Sequence, residues 1–193
     1  HLYAVFQVFV YLKQKHNSRL IFDPTQPRID INQFQANEDW KAFYGDVREA
    51  IPPNAPKPRG KAVTLRTFVD ADHAGNKLTR RSRTGYIQMV NMAPIAWYSK
   101  KQGTIEGASF GSKFMALKTA IEANRGLRYK LRMMGIPIDG PSYVYCDNMS
   151  VVYNTSSPDS VLKKKSNAIA YHAVQEAVAM GEFLILYIRT TKS

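Results

Sequence analysis

Cysteine is nearly absent. Cys146 is the single thiol among 193 residues, so no internal disulfide staples the fold, which fits a reducing compartment. No apolar run of about eighteen residues occurs, which argues against a membrane-spanning helix, and no signal peptide is visible. A starting methionine is missing too. The chain begins at His1, inside a helix-like pattern, and reads as a piece of a longer chain. Acidic residues are scarce: 15 Asp and Glu face 27 Lys and Arg, for a net charge of +12. The imbalance is local. Residues 1–58 hold 7 basic and 6 acidic residues, whereas residues 59–193 hold 20 and 9. A basic module therefore sits behind a nearly neutral one, and such a field attracts polyanions, nucleic acid foremost. A basic, merely soluble surface is the alternative.

What is present suits one large domain or one domain with an appendage: hydrophobic residues make up 45% of the chain, an ordinary share for a globular protein. In residues 1–16, Leu2, Val5, Phe6, Phe9 and Leu12 have helical spacing. Val8 and Val10 make that helix apolar nearly all round, so burial against a partner is expected. A short strand at Arg19–Phe22 and a helical patch at Glu38–Ala50 follow. Ile51–Gly60 carries four prolines in ten residues, reads as a stiff connector, and marks a boundary between segments 1–60 and 61–193.

Beyond the connector, a first strand spans residues 61–72, with further strands at Gly85–Val90 and Pro94–Ser99. The short connections predict an antiparallel meander. Residues 109–134 form the best helix: Phe110, Phe114, Leu117, Ile121, Leu127, Leu131 and Met134 step by three or four, apart from a gap at Asn124. Ser109 is the expected N-cap, and Gly135 with Pro137 ends the helix. Lys118, Arg125 and Arg132 add a basic stripe, read either as a solvated face or as phosphate contacts. A fourth strand spans 142–147, Asn148 opens a short helix, Lys163–Lys165 is a basic loop, residues 167–180 form another helix, and Phe183–Ile188 a last strand. The pattern predicts an α/β fold with a mixed sheet.

Thr67–Gly75, which reads TFVDADHAG, is where chemistry is expected. Asp70 and Asp72 lie two residues apart, and on an extended chain they share a face. Either they bind a hard divalent cation such as Mg²⁺, or they make a turn. Asp147 ends another predicted strand, and crevices at strand ends are where open α/β sheets bind ligands. Carboxylates from two strands can hold two Mg²⁺ ions about 4 Å apart for phosphodiester chemistry.

These stretches, read together, carry a resemblance. VDADHAG, TRRSRTGYI, APIAWYSKKQ, FMALKTAIE, YCDN and AYHAVQEAV, in that order, resemble the end of a Pol polyprotein from a Ty1/copia-type retrotransposon. Residues 1–15 look like the last helix of the preceding reverse transcriptase region. The resemblance implies a ribonuclease H-like fold, a five-stranded mixed sheet with flanking helices, and cleavage of RNA in an RNA–DNA hybrid with two Mg²⁺. It implies hybrid or other nucleic acid and the rest of a Pol polyprotein as partners, no membrane, and a cytoplasmic virus-like particle or the nucleus as location. The family also continues past the last strand, so a segment beyond Ser193 is expected. The basic loop residues Arg80 and Arg81, with Lys118 and Arg125, are candidate nucleic-acid contacts.

The family's carboxylates are not all matched. Asp70 and Asp147 match the first and third. The second is a Glu early in the long helix, where this chain has Lys113; the fourth lies at Ala168. An ammonium about 4 Å from a dication is repelled by roughly 8 kcal/mol at an effective dielectric of about 20. Three readings follow: a catalytically impaired ribonuclease H, an active one with a rearranged site using Asp70, Asp72, Asp147 and His172, or a non-catalytic binding module. In the last, Trp97 and Tyr98 offer stacking surfaces, unless they are ordinary strand residues. Glu106 lies too far upstream to replace the missing Glu, and Cys146 belongs in the core.

Overall fold

The computed structural model describes residues 2–30, 39–160 and 167–189. The elements in order are α1 (Leu2–Gln14), α2 (Trp40–Tyr44), β1 (Leu65–Ala71), β2 (Arg83–Val90), β3 (Ala93–Lys101), α3 (Ser109–Met133), β4 (Ser142–Cys146), α4 (Met149–Ser156), α5 (Ala168–Ala179) and β5 (Phe183–Tyr187). The five strands form one sheet in the order β3-β2-β1-β4-β5. β1, β2 and β3 are antiparallel neighbours, while β1–β4 and β4–β5 are parallel. The mixed sheet expected from the sequence is thus present, and its parallel half is built by helical crossovers.

Alternation in β1 shows which face is covered. Leu65, Thr67, Val69 and Ala71 are buried, whereas Arg66, Phe68 and Asp70 are not. Val69 and Ala71 share one core with Phe114, Leu117, Ala120 and Ile121 of α3, and the same core takes in Val144, Val174 and Phe183. Burying a side chain such as Phe114 fully stabilises the fold by about 1.5–3 kcal/mol. On the opposite face Phe68 stacks on Tyr145 with centroids 4.7 Å apart, and Ile87 and Trp97 remain exposed. Tyr98, by contrast, stacks on Tyr86 across the β2–β3 pair, with centroids 4.9 Å apart, as a strand residue does.

Asn124, which interrupts the apolar stripe of α3, is fully buried, and its Nδ2 donates to Thr67 Oγ1 at 2.7 Å. The gap is a polar bond between helix and central strand. Cys146 is buried as expected, and burial pushes its thiol up to about 11. It is an inert core residue at neutral pH.

Several expectations are corrected. Arg19–Phe22 is not a strand; among the described residues no ladder partner reaches it. The helix expected over Glu38–Ala50 is the five-residue α2, capped by the Asp39 side chain and ended by Gly45 at φ 70°; Glu38 lies outside the described residues. The N-cap of α3 is Ala108, with no side-chain cap bond, and Ser109 is already helical. α1 is a helix but is not buried: Leu2, Phe6, Phe9 and Leu12 are all more than half exposed. The basic run Lys163–Lys165 lies outside the described residues.

The proline-rich segment lies against the domain. Arg59 N donates to Gly135 O at 2.8 Å, and Pro56 packs over Gly135. Nearby, Glu49 accepts from Arg128 at 2.6–2.8 Å and from Arg132 at 2.5 Å. Upstream, Tyr44 Oη donates to Gln175 Oε1 of α5 at 2.9 Å.

Candidate functional site

β1 and β4 run parallel with Val69 opposite Cys146. The next residue on each strand is therefore an aspartate, Asp70 beside Asp147, about one strand spacing apart. α3 begins over this end of the sheet, and its fifth residue is Lys113. The helix start is fastened from below. Gln102 Nε2 donates to Ser112 O at 2.8 Å and to Thr84 Oγ1 at 3.0 Å, and His73 Nδ1 lies 3.2 Å from Ser112 Oγ. The sequence reading missed His73, Gln102 and Ser112, because their bonds join three separate elements.

Lys113 Nζ donates to both oxygens of Asp147, at 2.7 and 2.5 Å, and also to Asp70 Oδ1. The Lys113 and Asp147 side chains are 15% and 21% exposed, whereas Asp70 is 73% exposed. Burial works against the ammonium. The hydrogen bonds and charges of Asp147 and Asp70 outweigh it and hold Lys113 above its ordinary range. The lysine therefore carries its charge at neutral pH and offsets part of the charge of the carboxylate pair from within.

Asp72 does not join this pair. β1 ends at Ala71, so the same-face rule stops one residue short of it. Asp72 instead accepts from Arg83 N, its own N donates to Arg83 O at 3.2 Å, and its carboxylate lies over Gly75, where a Cβ would collide with Oδ2. Asp72 makes contacts of the β1–β2 turn and lies apart from the Asp70 and Asp147 pair. His172 meets Tyr44, with Nδ1 3.3 Å from the hydroxyl, rather than a carboxylate. Glu106 folds over Gly111 at the start of α3 and is buried. Ala168 opens α5 and offers no oxygen ligand.

The donor set does not fit a pair of divalent cations. Among the described residues no group of three or more His, Cys, Asp or Glu side chains is placed to hold a metal ion. The two carboxylates that do converge share an ammonium.

The candidate nucleic-acid contacts divide in two. Lys118 is paired with Glu122 at 2.9 Å and Arg125 with Glu182 at 2.5 Å. Arg80 and Arg81 lie in the β1–β2 loop, without an ion pair to any described residue. Among the described residues no helix is long and apolar enough to cross a membrane.

No family model matches the chain. It is 29% identical over 132 residues to the retrovirus-related Pol polyprotein from transposon RE1 of Arabidopsis thaliana, covering 68% of this chain and 9% of that protein. It is 25% identical over 134 residues to the corresponding polyprotein from transposon TNT 1-94 of Nicotiana tabacum, covering 69% of this chain and 10% of that protein. The chain thus spans about a tenth of the length of these relatives. Its fold matches LC11-RNase H1, solved in complex with an RNA/DNA hybrid, with a TM-score of 0.51 at 14% identity over 65% of this chain and 86% of the other. Over about two thirds of its length this chain is similar to the Pol polyproteins of Ty1/copia-type retrotransposons, and its fold is that of ribonuclease H.

Proposed function

We propose that this ribonuclease H-like domain descends from a two-metal hybrid nuclease and is catalytically impaired. The observation that carries the reading is the ammonium of Lys113 between Asp70 and Asp147. Two Mg²⁺ ions need several carboxylate oxygens and tolerate no fixed cation among them. Here one position that the resemblance assigns to a carboxylate carries a positive charge, and Ala168 stands at another. The rearranged, active alternative loses support because Asp72 and His172 are engaged elsewhere. Nucleic acid, hybrid included, is the proposed partner, supported by the basic excess of residues 59–193.

The test is hybrid cleavage in Mg²⁺ and in Mn²⁺, alongside calorimetric metal titration of the parent and of Lys113→Glu. The expected result is no cleavage and no metal uptake by the parent, with uptake restored in the variant. Two ions bound by the parent, or a metal-dependent cut that Asp70→Asn abolishes, would overturn the reading.

A further inference from the structure

The charge on this domain is not spread evenly around the sheet. In β2 and β3, Arg83 faces Lys101 across the ladder, while Lys100, the partner of Thr84, turns to the other face and sits over the Tyr98 ring. The β1–β2 loop brings Lys77, Arg80 and Arg81 to the same end. That loop is held in shape: Asn76 Oδ1 accepts from Thr79 N at 2.8 Å, Arg80 N donates to Asn76 O at 2.7 Å, and Asn76 N donates to Arg81 O at 3.2 Å. Ser82 is clamped on both sides, its Oγ accepting from Ala74 N at 3.0 Å and its carbonyl from Gln102 N at 2.8 Å. Lys77, Arg80, Arg83 and Lys101 are exposed and Arg81 partly so. Among the described residues none of these five has an ion-pair partner. The Asp72 carboxylate takes the backbone N–H of Arg83.

Like charges directly opposite on a ladder destabilise the strand pair. The Arg83–Lys101 pair is therefore unfavourable in the isolated chain, and an external anion would relieve it. The other basic stripe behaves differently, since Lys118, Arg125 and Arg132 on α3 are all matched by glutamates. We infer that the ridge of Lys77, Arg80, Arg81, Arg83 and Lys101 is a phosphate-contacting site for the sugar–phosphate backbone of nucleic acid. It rests on the nucleic-acid partner proposed above and adds where that partner sits. The ridge does not involve Lys113 or the carboxylate pair, so binding outlasts the loss of the metal site. A duplex carries one negative charge per about 1.7 Å of axis, so such a ridge meets several phosphates at once. The contact reads charge and not sequence.

The test uses the full chain in EDTA and follows fluorescence anisotropy of a labelled DNA duplex, an RNA–DNA hybrid and a DNA single strand over about 50 to 200 mM salt. The parent should bind with affinity that falls steeply as salt rises. Arg83→Ala combined with Lys101→Ala should make the slope of log affinity against log salt shallower by about 2, and weaken binding roughly tenfold near the middle of that range. Lys118→Ala combined with Arg125→Ala should leave the slope unchanged. Thermal melts by circular dichroism check folding. Should the first double variant melt early, Arg83→Gln with Lys101→Gln carries the same test with less change of side-chain bulk. A parent that binds while both ridge variants keep its slope would overturn the ridge and leave the partner standing. A parent that binds none of the three probes would overturn both.

Discussion

An ammonium that donates to two carboxylates does part of what a metal ion would do: it cancels their repulsion and fixes their spacing. Two unit charges about 4 Å apart repel by roughly 4 kcal/mol at an effective dielectric of about 20. Lys113→Ala leaves Asp70 and Asp147 facing each other. The variant should lose about 1.5–3 kcal/mol, the range for hydrogen bonds to charged groups, with the exposure of Asp70 placing it toward the lower end. Mg²⁺ should raise the melting temperature of Lys113→Ala and leave the parent's unchanged, as ligand linkage requires. Because Lys113 is held above its ordinary range, its contribution is complete below the usual ammonium value and is lost only as alkaline pH rises through the raised one. No release of the carboxylates is expected at neutral pH.

Glu49 titrates with the opposite sign. Burial pushes its carboxyl up, but hydrogen bonds and charge from Arg128 and Arg132 prevail and hold it below 4.5. Its contribution is present above that ordinary value and is lost as pH falls through the depressed one. An acid melt should therefore show Glu49→Gln to be less pH-sensitive below about 4.5 than the parent. At neutral pH the same variant should cost about 3–5 kcal/mol, since Arg128 is buried and would lose its counter-charge. Urea unfolding at the two pH values measures both effects.

Among the elements, α3 was the most legible from sequence. Seven apolar positions at helical spacing marked its extent to within a residue of Ser109–Met133. Phe114 lies at its core and is fully buried, so Phe114→Ala should cost about 3–5 kcal/mol in chemical unfolding. The helix's polar positions were not legible. The partner of Asn124 is Thr67 on β1, and that of Arg125 is Glu182 just before β5, each 57 residues away in the chain. Periodicity shows which residues share a helix face, but not what another element brings to that face. α1 shows the converse: its apolar pattern declared a helix correctly, yet the described residues bury none of its large side chains.

Over the whole molecule, residues 40–59 behave as part of the folded unit. Glu49 pairs with α3, Tyr44 with α5 and Arg59 with the turn after α3. A chain starting at Lys61 should melt at a lower temperature than one starting at Asp39 and show a smaller denaturant slope, because less surface is exposed on its unfolding. The strand and helix order, the covered face of β1 and the place of Asp70 and Asp147 at strand ends were all written in local patterns of apolar residues. Those patterns act over a few residues, so reading the chain in order recovers them. The ammonium between the carboxylates, the neutralised stripe of α3 and the unpaired ridge on β2 and β3 were not. Each depends on which side chains meet across the sheet, and that follows from strand register and helix placement, set only when distant segments pack together.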